Sequence, residues 1–108
     1  MIEKITRMND LYDYYHALLT PRQKEYFELY YHTDHSLGEI ADQFEVSRTA
    51  VLDSIKRTEK SLEAYELKLL LLAAAQKRLD LLEEILELGP GAEVTAKLLE
   101  LKQLDGFE

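Results

Sequence analysis

The chain has 108 residues, of which 46% are hydrophobic and 31% are charged, a composition typical of one globular domain with its own hydrophobic core. The absence of cysteine excludes disulfides, thiolate metal sites and a cysteine nucleophile. The net charge of −8 argues against strong non-specific binding to phosphate backbones, and residues 64–108 alone carry −4 of it.

Neither a secretion signal nor a membrane segment is predicted. Glu3 and Asp10 interrupt the apolar residues near the N-terminus, so this end does not resemble a signal peptide. The longest apolar run, residues 69–75, is far shorter than the roughly 20 residues of a membrane span. We therefore expect a cytoplasmic protein that does not insert into membranes.

Hydrophobic periodicity and capping residues predict an all-α chain. Apolar residues within 5–19 fall on one side of a helical wheel and predict a first helix. Residues 20–23 (TPRQ) form a capping box with proline at the first helical position, which predicts a second helix over 21–31. A polar loop over 32–35 follows. A second capping box, residues 36–39 (SLGE), opens a third helix that ends near Phe44.

A fourth helix is predicted to begin near Arg48, with Ser47 as its N-cap. The next helix-breaking residues are Gly89-Pro90-Gly91, and an unbroken helix of 41 residues would be roughly 60 Å long. Because this length far exceeds that of most helices, we expect a bend or break near residues 61–66. A last helix is predicted over residues 92–104.

Residues 36–62 have the pattern of a helix-turn-helix. Ala41 is small enough for two steeply crossing helices to approach closely, and Val46 is expected to be an apolar plug in the turn. Ser47 would cap the second helix so that its first turn projects outward, the part that meets base edges in a major groove. The apolar residues expected to join the two helices are Leu37, Ile40, Val51, Leu52 and Ile55.

Residues 19–25 (LTPRQKE), 36–41 (SLGEIA) and 46–51 (VSRTAV) resemble the promoter-reading C-terminal region four of bacterial sigma factors. The chain as a whole resembles the YlxM family of Gram-positive bacteria, over essentially all 108 residues. Two residues depart from the sigma-like pattern. Glu45 stands where glycine is usual, so a residue with a Cβ is expected to adopt a left-handed backbone in the turn. Asp53 brings a carboxylate one turn into the recognition helix.

The resemblance implies an all-α, sigma region-four-like helix-turn-helix without a wing. It also implies a DNA-binding regulatory protein that takes part in the signal recognition particle pathway, with the particle's RNA and GTPases as further partners. We expect residues 1–66 to contain the N-terminal helices and the helix-turn-helix. Residues 67–108 would contain the leucine-rich helix and the C-terminal helix, joined to the first part as one compact unit.

The expected recognition helix carries a net charge of +2 between Arg48 and Lys60, in a chain of −8. On the functional interpretation its first turn contacts bases and its later basic residues contact phosphates. On the alternative interpretation these charges only keep a helix face in contact with water, and the helix-turn-helix serves only to pack helices together. The candidate nucleic-acid-binding residues are Ser47, Arg48, Thr49, Ser54, Lys56, Arg57 and Lys60.

Residues 67–88 carry two adjacent apolar stripes that cover more of the helix than packing on one core requires. Because burial of a leucine is worth roughly 1.5 to 3 kcal/mol, we expect one stripe to meet a second copy. A monomer whose C-terminal helix covers both stripes is the alternative. The candidate dimer-interface residues are Leu67, Leu71, Leu72, Leu79, Leu82, Ile85 and Leu86.

The sequence contains no recognisable catalytic or cofactor motif. It lacks a nucleophile–base pair and a phosphate loop, and His32 and His35 have no third metal ligand nearby. We therefore expect no enzyme activity, no cofactor and no metal. Two functions remain open: a dimeric DNA-binding regulator, or an acidic adaptor that binds the protein or RNA of the signal recognition particle without binding DNA.

Overall fold

The computed structural model describes residues 1–89 and 91–104, and within them all regular structure is helical, which confirms the all-α prediction. A 3₁₀ turn follows the first helix, and a π-helical turn follows the second. In chain order the elements are α1 (Ile2–Tyr15), the 3₁₀ turn (His16–Leu18), α2 (Pro21–Phe27), the π-helical turn (Glu28–His32), α3 (Leu37–Phe44), α4 (Arg48–Leu69), α5 (Leu71–Leu88) and α6 (Ala92–Leu104).

The helix starts follow the predicted caps. The Gln23 N–H donates to Thr20 Oγ1 at 3.2 Å, and the Thr20 N–H donates back to Gln23 Oε1 at 2.9 Å. At the start of α3 the Ser36 N–H donates to Glu39 Oε1 at 2.8 Å, and the Glu39 N–H donates to Ser36 Oγ at 3.0 Å. The hydrogen bond from the Ser36 N–H holds the pKa of Glu39 below its ordinary value.

The chain forms two compact units, the first over Met1–Leu69 and the second beginning at Leu70. In the first unit α4 packs against α1, α2 and α3. In the second unit α5 and α6 pack against each other as a helical hairpin. None of the described helices combines the length and the apolar character that crossing a bilayer requires.

The long helix does break, but later than the predicted position near residues 61–66. The helix α4 runs through these residues to Leu69, and the break occurs at Leu70, whose backbone is left-handed at φ 55° and ψ 29°. Leu62 and Glu66 are buried in the first unit, so packing keeps this part of α4 helical. Leu67 is 79% exposed, and the helix ends two residues later, where this packing has ended.

The link from α5 to α6 contains the predicted breaker, of which Pro90 lies outside the described residues. Gly89 and Gly91 have φ values of 71° and 141°, which residues with a Cβ rarely adopt. The predicted last helix, 92–104, is confirmed.

Candidate nucleic-acid interface

The helix-turn-helix is built on a buried apolar cluster between α2, α3 and α4. Ile40 and Ala41 from α3 meet Val51 and Ile55 from α4, and Tyr26 from α2 completes the cluster. All five side chains are at most 5% exposed. Ala41 therefore has the predicted position, where a small side chain lets two helices approach closely.

The turn between α3 and α4 differs from the prediction in one residue. Val46, expected as its apolar plug, is 39% exposed. Instead Phe44, the last residue of α3, packs against the buried cluster and meets the Tyr26 ring edge to face at 5.0 Å. The larger aromatic ring fills the corner that Val46 was expected to fill. Glu45 adopts the left-handed conformation expected for its position, with φ 56° and ψ 45°.

The first turn of α4 faces solvent. Ser47 Oγ accepts a hydrogen bond from the Ala50 N–H at 3.0 Å, which confirms Ser47 as the cap. The side chains of Ser47, Arg48 and Thr49 are all exposed. The Arg48 guanidinium lies against Gly38 in the first turn of α3, where a Cβ would be 3.2 Å from Arg48 Nε. The leading turn of the recognition helix is therefore accessible, with one arginine held at its edge.

Three further predicted basic residues, Lys56, Arg57 and Lys60, are exposed along α4. Because an α-helix has 3.6 residues per turn, these three side chains project away from the side of α4 that buries Val51 and Ile55. Within the described residues, none of the three lysine and arginine side chains forms an ion pair. Ser54, the remaining candidate, is half-buried at the edge of this face.

Two carboxylates of α4 in the same region form ion pairs with basic side chains of α1. Glu59 accepts a hydrogen bond from the Tyr31 hydroxyl and pairs with Lys4 at 3.3 Å. Arg7 forms two hydrogen bonds with Glu63, at 2.8 and 3.2 Å. Asp53 is exposed on the outward face of α4. The positive character of this face is therefore stronger than the sequence count suggested.

The sequence alone did not predict the ion pairs of Glu59 and Glu63 with Lys4 and Arg7. Lys4 and Arg7 are 55 and 56 residues away from their carboxylates in the sequence, and no local pattern links them. Only the packing of α1 across α4 brings the charges together. Among the described residues, no cluster of three or more carboxylate or imidazole side chains lies close enough together to hold a metal ion.

The candidate dimer residues are divided between the two units. Leu67 lies on α4, before the break, whereas the other six lie on α5. Leu86 is 84% exposed, and Leu71, Leu79 and Leu82 are about half exposed. Leu72 and Ile85 are partly buried. The apolar side of α5 is therefore only partly covered.

The chain is similar to known proteins over nearly its whole length. A family model described as "Putative helix-turn-helix protein, YlxM / p13 like" matches residues 2–102. The UPF0122 protein YlxM of Bacillus subtilis is 53% identical over 108 residues, covering 96% of this chain and 98% of the relative. A UPF0122 protein of Anoxybacillus flavithermus is 56% identical over 110 residues, covering 97% and 100%. One of Halalkalibacterium halodurans is 49% identical over 109 residues, covering both chains completely.

Proposed function

Because the chain belongs to the YlxM/p13-like helix-turn-helix family, we propose that it is a DNA-binding regulatory protein that reads duplex DNA with the start of α4. The observation that carries this proposal is the exposure of Ser47, Arg48 and Thr49 at the capped start of α4. In helix-turn-helix complexes this part of the second helix enters the major groove. Arginine at such a position can donate two hydrogen bonds to a guanine edge.

The basic residues further along α4 support contacts with the DNA backbone. Lys56, Arg57 and Lys60 lie along the outward face, and backbone contacts of this kind fix the position of a protein on the duplex. With Arg48 they make four cationic groups, so the logarithm of the binding constant should fall with the logarithm of salt concentration with a slope of about −3 to −4. Binding should therefore be weak and very sensitive to salt.

We also propose that the protein is a homodimer, so that two recognition helices contact two half-sites. The exposed leucines of α5 support this, because leaving them in water is unfavourable. Light scattering on the purified chain measures the mass directly. A monomeric mass at all accessible concentrations would contradict the dimer and leave the DNA proposal untouched.

The decisive test of DNA binding is fluorescence anisotropy with a pool of labelled duplexes of random sequence at low salt. Replacement of Arg48 and Arg57 together by glutamate should weaken binding at least tenfold, because each change puts a negative charge against the DNA. The matched control replaces Lys68 and Lys102, exposed lysines at the end of α4 and on α6, by glutamate and makes the same change in net charge. Equal losses in the two double variants, or no binding by the unaltered chain, would refute the proposed interface.

A second candidate function is an acidic adaptor for the signal recognition particle. The supporting observation is the acidic end of α5, where Glu83, Glu84 and Glu87 are exposed on a unit separate from the helix-turn-helix. An exposed acidic surface can attract a basic protein subunit without any contact to nucleic acid. Purified chain should then associate with the particle's protein and change GTP turnover by its GTPases. The Arg48 and Arg57 variant should keep this association, which separates the adaptor from the DNA-binding protein.

A further inference from the structure

Helix α5 carries an apolar seam next to its buried side. The buried side contains Leu81, which is fully buried, and Ile85, which is partly buried. One step around the helix lies a second row of apolar residues, spaced alternately by three and four positions. We call this row the outer seam, and it consists of Leu72, Ala75, Leu79, Leu82 and Leu86.

The spacing of the outer seam is that of the core positions in a heptad repeat. Residues spaced in this way form a nearly straight line along a helix and interdigitate with the same line on another helix. Leu79 and Leu82 are 49% and 46% exposed, and Leu86 is 84% exposed. The packing of α5 against α6 therefore leaves Leu79, Leu82 and Leu86 of the outer seam largely uncovered.

We propose that the outer seam binds the outer seam of a second copy of this chain, with the two α5 helices antiparallel. This inference rests on the proposed homodimer, and it is independent of DNA binding. It specifies which surface forms the dimer and how the two chains are oriented. Of the dimer-interface candidates from the sequence, Leu72, Leu79, Leu82 and Leu86 belong to this surface. Leu67, Leu71 and Ile85 do not.

The charges along α5 favour the antiparallel orientation. Residues 71–78 contain Lys77 and Arg78 and no acidic side chain, whereas residues 80–88 contain four acidic side chains and no basic one. Two parallel copies would put the acidic ends beside each other. Two antiparallel copies put each acidic end beside the basic end of the other, and opposite charges across an interface select its orientation.

The helix dipole favours the same orientation. Acidic side chains are unfavourable at the C-terminal end of a helix, where the backbone dipole is already negative, and Glu83, Glu84 and Glu87 all lie in the last six residues of α5. An antiparallel copy brings the positive N-terminal end of its α5 next to these carboxylates. The carboxylates that are unfavourable at the C-terminal end of their own α5 are therefore favourable beside the N-terminal end of the α5 of a second copy.

The seam also selects a register. When Leu79 of one copy lies opposite Leu82 of the other, Ala75 lies opposite Leu86, and four layers of side chains meet. The small Ala75 leaves room for Leu86, the most exposed side chain of the seam.

Sedimentation equilibrium on the full chain tests the surface. Leu82→Glu should raise the dissociation constant of the dimer at least tenfold, because it puts a charge in a central layer. The matched control is Leu99→Glu on α6, at a side chain that is 54% exposed and outside the seam. A wild-type monomer would end both this inference and the homodimer proposal. A dimer that Leu82→Glu weakens no more than Leu99→Glu would overturn this inference alone.

Introduced cysteines test the orientation, and the chain has no cysteine of its own to interfere. In the proposed register Ala75→Cys and Leu86→Cys come close across the dimer, so a mixture of the two variants should form a mixed disulfide under mild oxidation. Leu86→Cys alone should remain largely unlinked. Preferential disulfide formation by Leu86→Cys with itself indicates parallel helices. That result, or the absence of the mixed disulfide, would overturn the antiparallel arrangement.

Discussion

The guanidinium group of Arg48, at the start of α4, lies against Gly38, in the first turn of α3. A Cβ added to Gly38 would lie 3.2 Å from Arg48 Nε and 3.7 Å from Cζ. The absence of a side chain at Gly38 therefore allows the arginine to lie across the first turn of α3. This contact joins the two helices of the helix-turn-helix at the surface proposed to face DNA.

Gly38→Ala should change stability and DNA binding in opposite directions. Alanine favours a helix over glycine by about 0.5 to 1 kcal/mol, and the neighbouring atoms belong to the flexible end of a side chain that can move. The free energy of unfolding in urea should therefore stay equal or rise. The affinity for DNA should fall severalfold because Arg48 is displaced. In an Arg48→Ala background the same change should leave the affinity unaltered, and a loss there would assign the effect to another contact.

Glu45→Gly should stabilise the turn between α3 and α4. The left-handed backbone of Glu45 costs a residue with a Cβ about 1 kcal/mol relative to glycine. The free energy of unfolding should rise by about that amount in the glycine variant and fall in Glu45→Val. Glu45→Gln removes the charge without changing the backbone preference, and it should leave stability nearly unchanged. A stabilised glutamine variant would show that charge, rather than conformation, dominates at this position.

The sequence predicted those parts of the fold that depend on local signals. The caps at Thr20, Ser36 and Ser47 placed three helix starts, since each uses hydrogen bonds within four residues. The left-handed backbone at Glu45 was also predictable, because a short turn between two helices leaves few conformations open.

Features that depend on tertiary packing were not predictable in the same way. The break at Leu70 has no glycine or proline to signal it, and its position reflects where packing on α4 ends. The capping box gave no sign that α2 changes to a π-helical turn at Glu28. The ion pair between Glu59 and Lys4 needs α1 to meet α4, and no periodicity in the sequence shows this. The candidate DNA face was therefore located from the sequence, but its charge balance was not.

High pH should destabilise the protein through Tyr31. Burial, the hydrogen bond to Glu59 and the charge of Glu59 together raise the pKa of Tyr31 above its ordinary value. Because the folded-state pKa is the higher one, the resulting stabilisation is complete below about pH 10 and is lost as the pH rises through the folded-state value. Urea unfolding between pH 8 and pH 11, in the range of ordinary tyrosine titration at about 10, should show a falling free energy.

Two variants test whether Tyr31 causes this loss of stability at high pH. Tyr31→Phe should lower the free energy of unfolding at neutral pH by about 1.5 to 3 kcal/mol, as expected for a hydrogen bond to a charged group, and should reduce the slope at high pH. The exposed Tyr14 is the control, and Tyr14→Phe should change neither quantity. Tyr12, which donates to Glu28 and whose pKa is raised for the same reasons, should contribute to the slope that remains. An unchanged slope in Tyr31→Phe would contradict this assignment.

The buried pair of Tyr15 and Glu66 should contribute more to stability than any exposed tyrosine contact. The Tyr15 hydroxyl donates to Glu66 Oε1 at 2.6 Å, and the two residues are 1% and 6% exposed. Tyr15→Phe removes a donor from a buried carboxylate and should cost about 1.5 to 3 kcal/mol in urea unfolding. Tyr65→Phe makes the same chemical change at a hydroxyl 3.5 Å from the Leu18 carbonyl oxygen and should cost no more than about 0.5 kcal/mol. Because packing on α4 ends at Glu66, Tyr15→Phe should also increase proteolytic cleavage after residue 66. Equal cleavage of Tyr15→Phe and Tyr65→Phe would show that the hydrogen bond to Glu66 does not determine where α4 ends.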